Sequence, residues 1–154
     1  MGENISNMYL KSVEKFHRTF NHPVLDSPTI PSQDRCKLRV DLLTEELKEL
    51  QEAIEAKDIV EIADALCDIQ YVLSGAVLEF GLGEKFKTLF EEVQRSNMSK
   101  ACSNIEEAEK TVRSYLKKGI ATFYEQVGDY YIVYRKSDRK ILKSINYSPA
   151  NLKI

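Results

Sequence analysis

The chain has 154 residues, 24 Asp and Glu against 22 Lys and Arg, a formal net charge of -2 and 43% hydrophobic residues. That length supports one sizeable core, the normal apolar content excludes a disordered chain, and the balanced charge gives no general electrostatic reason to bind nucleic acid or anionic lipid. Cys36, Cys67 and Cys102 are an odd, scattered set without a CxxC pair, so neither a disulfide framework nor a thiolate zinc site is expected; with no apolar leader after Met1, the expected compartment is the reducing cytoplasm.

The opening Met1-Gly2-Glu3-Asn4-Ile5-Ser6 has the form of an N-myristoylation signal, without the polybasic stretch that would supply a second anchor. Over 5–20, Ile5, Met8, Tyr9, Val13, Phe16 and Phe20 recur at helical spacing, and Asn21-His22-Pro23 ends the helix. After a loop through Pro28 and Pro31, Ser32 is placed to cap a second helix running to 56, with Leu43, Leu47, Leu50 and Ile54 as its core stripe. A third helix is expected over 58–80, its start reading as a capping box from Asp58 to Glu61. It is apolar around most of its circumference, which predicts burial in a bundle or at a subunit contact. Its internal Glu61, Asp64 and Asp68 argue against a membrane span.

A fourth helix is expected over 84–94, and a fifth over 104–118, capped by Asn104 with Glu107 and closed by Gly119. Beyond it, 122–124, 130–134 and 140–144 are rich in β-branched and aromatic residues, with turn signals at Gly128-Asp129 and Ser137-Asp138. These predict a small antiparallel meander packed on the helices. The expected fold is therefore mainly α, a helical domain over 1–118 followed by a β-rich extension over 119–154.

Acids crowd the second and third helices. Glu45 and Glu52 project away from the leucine stripe, whereas Glu46 and Glu49 sit at the edge of the buried surface. Glu61, Asp64 and Asp68 fall at i, i+3 and i+7 and make one acidic line on an apolar helix. Carboxylates directed at each other from adjacent helices repel unless a cation lies between them, and hard divalent ions suit all-oxygen sites that meet substrate phosphates. A solvated acidic face is the competing reading. A di-iron site is disfavoured, because it needs Glu-x-x-His and the two histidines, His17 and His22, lie near the end of the first helix.

Glu45-Glu46-Leu47-Lys48-Glu49 followed by Glu61-Ile62-Ala63-Asp64 resembles the EExxE…ExxD signature of the MazG-like all-α nucleoside triphosphate pyrophosphohydrolases. The stretches 63–72 and 90–100, the latter ending Arg95-Ser96-Asn97-Met98-Ser99-Lys100, and the tail with Tyr147-Ser148-Pro149 resemble the phosphoribosyl-ATP pyrophosphohydrolase-like subgroup. The resemblance implies Glu46, Glu49, Glu61 and Asp64 as ligands of Mg²⁺, with Mn²⁺ a possible substitute, and Glu45 or Asp68 as a further ligand or as the group that orients water. Asn97 and Lys100 match positions that approach the nucleotide in relatives. The short turn at Lys57 departs from relatives that carry an insertion there.

The expected reaction is Mg²⁺-dependent hydrolysis of a nucleoside triphosphate to the monophosphate and pyrophosphate, with Glu45, Glu46 and Glu49 as the catalytic set. A silent nucleotide-binding member of the fold and a helical oligomerisation module are the alternatives. The base pocket would draw on Phe16, Phe20, Tyr71 or Tyr124, and the sequence does not choose among them. Arg135, Lys136, Arg139, Lys140 and Lys143 could meet phosphate or protect a sheet edge. The apolar third helix predicts a homodimer or a higher homo-oligomer.

Overall fold

A computed structural model describes residues 5–154, with side chains from Met8 onward; residues 1–4 of the myristoylation pattern and the Ile5 side chain lie outside what it describes. The chain divides into two compact units, one running to Lys87 and including Ile154, the other Thr88–Lys153.

In the first unit α3 (Ile59–Glu79) packs against α1 (Ile5–Thr19) and α2 (Gln33–Ala56). Only Lys57 and Asp58 separate α2 from α3. Lys57 adopts the left-handed conformation, φ 56°, and bonds back to the carbonyls of Ala53 and Ile54. Asp58 then caps α3, its Oδ1 accepting from the N–H groups of Val60 at 3.0 Å and Glu61 at 3.3 Å. The reciprocal half of the expected capping box is not formed. Asp58 N–H is donated to Ala53 O at 3.1 Å, which leaves the Glu61 carboxylate uncommitted at the helix start. Ser32 holds the cap position of α2, but its side chain makes no capping bond.

The expected leucine stripe on α2 is corrected in part by the structure: Leu43 and Leu50 are half-buried, but the other two members are not. Leu47 and Ile54 are 56% and 55% exposed, while Arg39 and Ala53 are buried. The helix turns toward α3 the face that carries Arg39, Glu46 and Ala53, because an ion pair sits at one end of that contact. Glu79, fully buried near the end of α3, accepts hydrogen bonds from both Arg35 and Arg39. His17, also buried, donates from Nδ1 to Pro23 O at 2.8 Å. Gly75 makes room for this cluster: a Cβ there would lie 2.7 Å from Arg39 Nη1 and 2.9 Å from His17 Nε2. The loop before α2 covers the end of α3, Leu25 N–H bonding Leu78 O and Thr29 N–H bonding Phe80 O, each at 3.0 Å. Gly81, at φ +66°, permits that close approach, since a Cβ would stand 1.9 Å from Ser27 O.

The second unit holds most of α4 (Phe86–Met98), α5 (Ile105–Lys117) and a hairpin of β1 (Thr122–Val127) with β2 (Tyr130–Arg135). The fourth helix starts and ends later than its 84–94 expectation. The hairpin is in register from Thr122 opposite Arg135 to Val127 opposite Tyr130 and turns at Gly128 and Asp129. It packs on α5 around Cys102, Ala108 and Val133. The expected third strand at 140–144 is not one: Ile141 makes a single bridge to Tyr134, and the chain then leaves the sheet. Glu107 diverts it. Its buried carboxylate accepts from Ser144 Oγ and from Ser103 N–H, while Thr111 Oγ1 accepts from Ile145 N–H. The tail continues along α4, where Asn151 N–H bonds Glu92 at 2.8 Å and Ser148 N–H bonds Ser99 Oγ at 2.9 Å. Several C-terminal bases are engaged within this unit: Arg135 pairs with Asp138, Arg139 with Glu125, and Lys143 lies over the Tyr147 ring.

Candidate active site

A crevice of about 370 Å³ opens between α2 and α3, lined by Glu49, Glu52, Ala53, Ala56, Glu61, Asp64 and Ala65. Its form follows from residue size. Three alanines stand where the helices pass, so the carboxylates above them flank a hollow that no side chain fills. Three of the expected ligands, Glu49, Glu61 and Asp64, share it with Glu52, which the sequence reading assigned to solvent. Glu52 lies one turn beyond Glu49, and the small residues at 53, 56 and 65 were the signal that a hollow was there.

Glu46 lies one turn before Glu49 and is half-buried. Its Oε2 is fully buried and has no hydrogen-bond partner among the described residues. Burial raises its pKa above the ordinary glutamate value, and the negative charges of Asp68, Glu49, Glu45 and Asp64 raise it further. A buried carboxylate oxygen without a donor costs free energy unless a proton or a cation meets it. Among the described residues no three His, Cys, Asp or Glu side chains converge at ligand spacing as they stand. The donor set is nevertheless all oxygen, anionic, and drawn from two helices, with one oxygen orphaned. Those properties fit a hard divalent cation.

Glu45 is exposed beside this group and Asp68 is half-buried within reach of Glu46. Asn97 and Lys100 belong to the second unit, where Lys100 Nζ donates to Asn97 Oδ1 at 2.9 Å. The histidines take no part: His17 is a buried core residue, and His22 stacks on Phe16 with ring centroids 5.9 Å apart. No helix among the described residues is long and apolar enough to cross a membrane.

A family model described as phosphoribosyl-ATP pyrophosphohydrolase matches residues 13–97, which include Glu45, Glu46, Glu49, Glu52, Glu61, Asp64 and Asp68. An uncharacterized protein of Acanthamoeba polyphaga mimivirus is 30% identical over 125 residues, covering 79% of this chain and 49% of the relative. The chain thus spans about half the length of that relative.

Proposed function

Because the chain belongs to the phosphoribosyl-ATP pyrophosphohydrolase family, we propose that it hydrolyses a nucleoside triphosphate to the monophosphate and pyrophosphate in a Mg²⁺-dependent reaction. The observation that carries this reading is the buried, unpartnered Oε2 of Glu46 among Asp68, Glu49, Glu45 and Asp64. Glu46, Glu49, Glu61 and Asp64 would hold Mg²⁺, or Mn²⁺ in its place, with Asp68 as a further candidate ligand. When bound, the ion supplies charge neutralisation at the phosphoryl oxygens and Lewis-acid polarisation. The attacking water forms a bond to phosphorus as the bond to the leaving pyrophosphate breaks, and Glu45 accepts the proton the water loses. The three alanines keep the crevice floor apolar and open to a ligand.

Asn97 and Lys100 are proposed as nucleotide contacts on the resemblance of their segment, and Lys100 suits a phosphate as a counter-charge. A homodimer or higher homo-oligomer belongs to the same reading, as does a cytoplasmic location, supported by three free thiols. The test is release of pyrophosphate from a panel of nucleoside triphosphates with and without Mg²⁺. Glu49→Gln should reduce turnover by at least about 100-fold. Equal turnover by the variant, or full activity in excess chelator, would remove the proposal.

A further inference from the structure

In the second unit the C-terminal tail lies back along the last turns of α4 and is bonded there residue by residue. Lys100 O accepts from Ser144 N–H at 3.1 Å, and Ser99 Oγ accepts from Ser148 N–H at 2.9 Å. Ser96 Oγ donates to Tyr147 Oη at 3.3 Å, and Arg95 Nη2 donates to Pro149 O at 3.1 Å. With the Glu92–Asn151 bond, one face of the helix is taken up by the tail, which runs opposite to it. The stretch that ends at Lys100 and the tail around Tyr147 are therefore one piece of structure. Lys143 enters it with its carbonyl held by Tyr115 Oη at 3.0 Å. We propose that Lys143 and the Tyr147 hydroxyl, brought by the tail, form with Lys100 and Asn97 a site for a phosphate group. The proposal deepens the reading of Lys100 as a phosphate counter-charge and rests on that reading for the identity of the ligand.

Three observations support it. The first is uncancelled charge. Lys100 is half-buried and its Nζ donates to the neutral Asn97 Oδ1 at 2.9 Å, while Lys143 Nζ stands 4.2 Å from the centroid of the Tyr147 ring. Among the described residues neither lysine pairs with a carboxylate, whereas Arg95, Arg135 and Arg139 of the same unit pair with Glu92, Asp138 and Glu125. The Ser96 hydrogen bond lowers the Tyr147 pKa, and the charges of Lys143 and Lys100 lower it further, so both ammonium groups act on one phenol oxygen. Two like charges there repel, and an anion between them turns the cost into attraction. The second is the state of the neutral groups. Ser96, 4% exposed, gives its proton to Tyr147 Oη, which leaves the phenol proton for a ligand. Asn97 Oδ1 is taken by Lys100, which leaves the amide N–H groups to donate elsewhere. Two ammonium groups with two neutral donors suit a doubly charged, many-oxygened phosphate better than a carboxylate. The third is preorganisation. Glu107 holds the Ser144 hydroxyl, so the tail that carries Lys143 and Tyr147 is fixed before a ligand arrives and little ordering cost remains.

Inorganic phosphate, pyrophosphate and adenosine monophosphate are the probes, applied to the full chain at millimolar concentration in metal-free buffer. Lysine acetylation is followed residue by residue by mass spectrometry. Pyrophosphate should slow modification of Lys100 and Lys143 together and saturably, while the exposed Lys136 and Lys140 serve as internal standards. Tyr147→Phe, which keeps the ring, should weaken that binding about tenfold through loss of one hydrogen bond to a charged ligand. Protection in the unaltered chain is read without any variant, so a variant that fails to fold does not remove the test. The proposal is overturned if no probe protects, if all four lysines are protected alike, or if folded Tyr147→Phe binds as the unaltered chain does. Protection by adenosine monophosphate at lower concentration than by inorganic phosphate assigns the group to a nucleotide, and equal protection assigns free phosphate; either result supports the site. Pyrophosphate release is measured separately: turnover without lysine protection overturns the phosphate site alone, and protection without turnover overturns the proposed function alone.

Discussion

An ionised carboxyl at Glu46 is opposed by its own surroundings. Its pKa is raised by burial and by neighbouring acids, so its contribution to stability is present below the unfolded value and is lost as pH rises through the folded one. At neutral pH without a cation it is a net cost. Glu46→Gln should therefore raise the melting temperature of the metal-free protein and abolish the rise that Mg²⁺ produces in the unaltered chain. A variant that melts lower, or that keeps the Mg²⁺ shift, would contradict both the site and the sign. Gly75→Ala should cost about 1–3 kcal/mol by denaturant titration, because the new methyl meets Arg39 held against Glu79 and not a free side-chain end. At this scale the acids were legible, since i, i+3 and i+7 spacing depends only on helix geometry. The Arg39–Glu79 pair was not, because its members lie 40 residues apart and only the fold brings them together.

At the scale of elements, Glu79 joins α2 to α3 through two guanidinium groups. Burial alone would raise its pKa, but the hydrogen bonds from Arg35 and Arg39 outweigh burial and hold it below the ordinary value. Its stabilisation is full above the unfolded glutamate pKa and is lost as pH falls through the folded one. His17 adds to the same acid limb. Burial lowers its pKa from 6.5, so below that pH the unfolded chain takes up a proton that the folded chain resists. In the Glu46→Gln variant, which lacks the opposing contribution of that carboxyl, denaturant midpoints should thus fall as pH drops from neutral through the glutamate range, and a flat profile there would refute the assignment. Glu79→Gln should cost about 3–5 kcal/mol by leaving buried guanidinium charge uncompensated. The helices were legible from apolar period and caps. The missing third strand was not, because a β-rich composition at 140–144 does not reveal that Glu107, on another element, captures Ser144.

Across the molecule, exposed apolar residues recur every seventh position on both site helices: Val40, Leu47 and Ile54 on α2, and Ile59, Leu66 and Leu73 on α3, each between 39% and 74% exposed. Sevenfold spacing is the pattern of a helix seam awaiting another helix. A second copy of the chain would supply one, and sedimentation equilibrium should report at least twice the chain mass, shifted toward the single-chain mass by Leu47→Lys. A single-chain mass for the unaltered protein would refute this. The expectation of an oligomer rests on the all-round apolar character of α3, whereas which α2 residues face outward followed from the buried ion pair. The two-residue link at Lys57 and Asp58 also bears on how the chain folds. Its loop-closure cost is small, so the α2–α3 hairpin should form early, before the tail reaches α4. That early event brings like-charged walls together in water. Refolding should consequently accelerate with added monovalent salt, which screens the acids, and the carboxylates suited to hold a cation would also set the rate at which the protein first assembles.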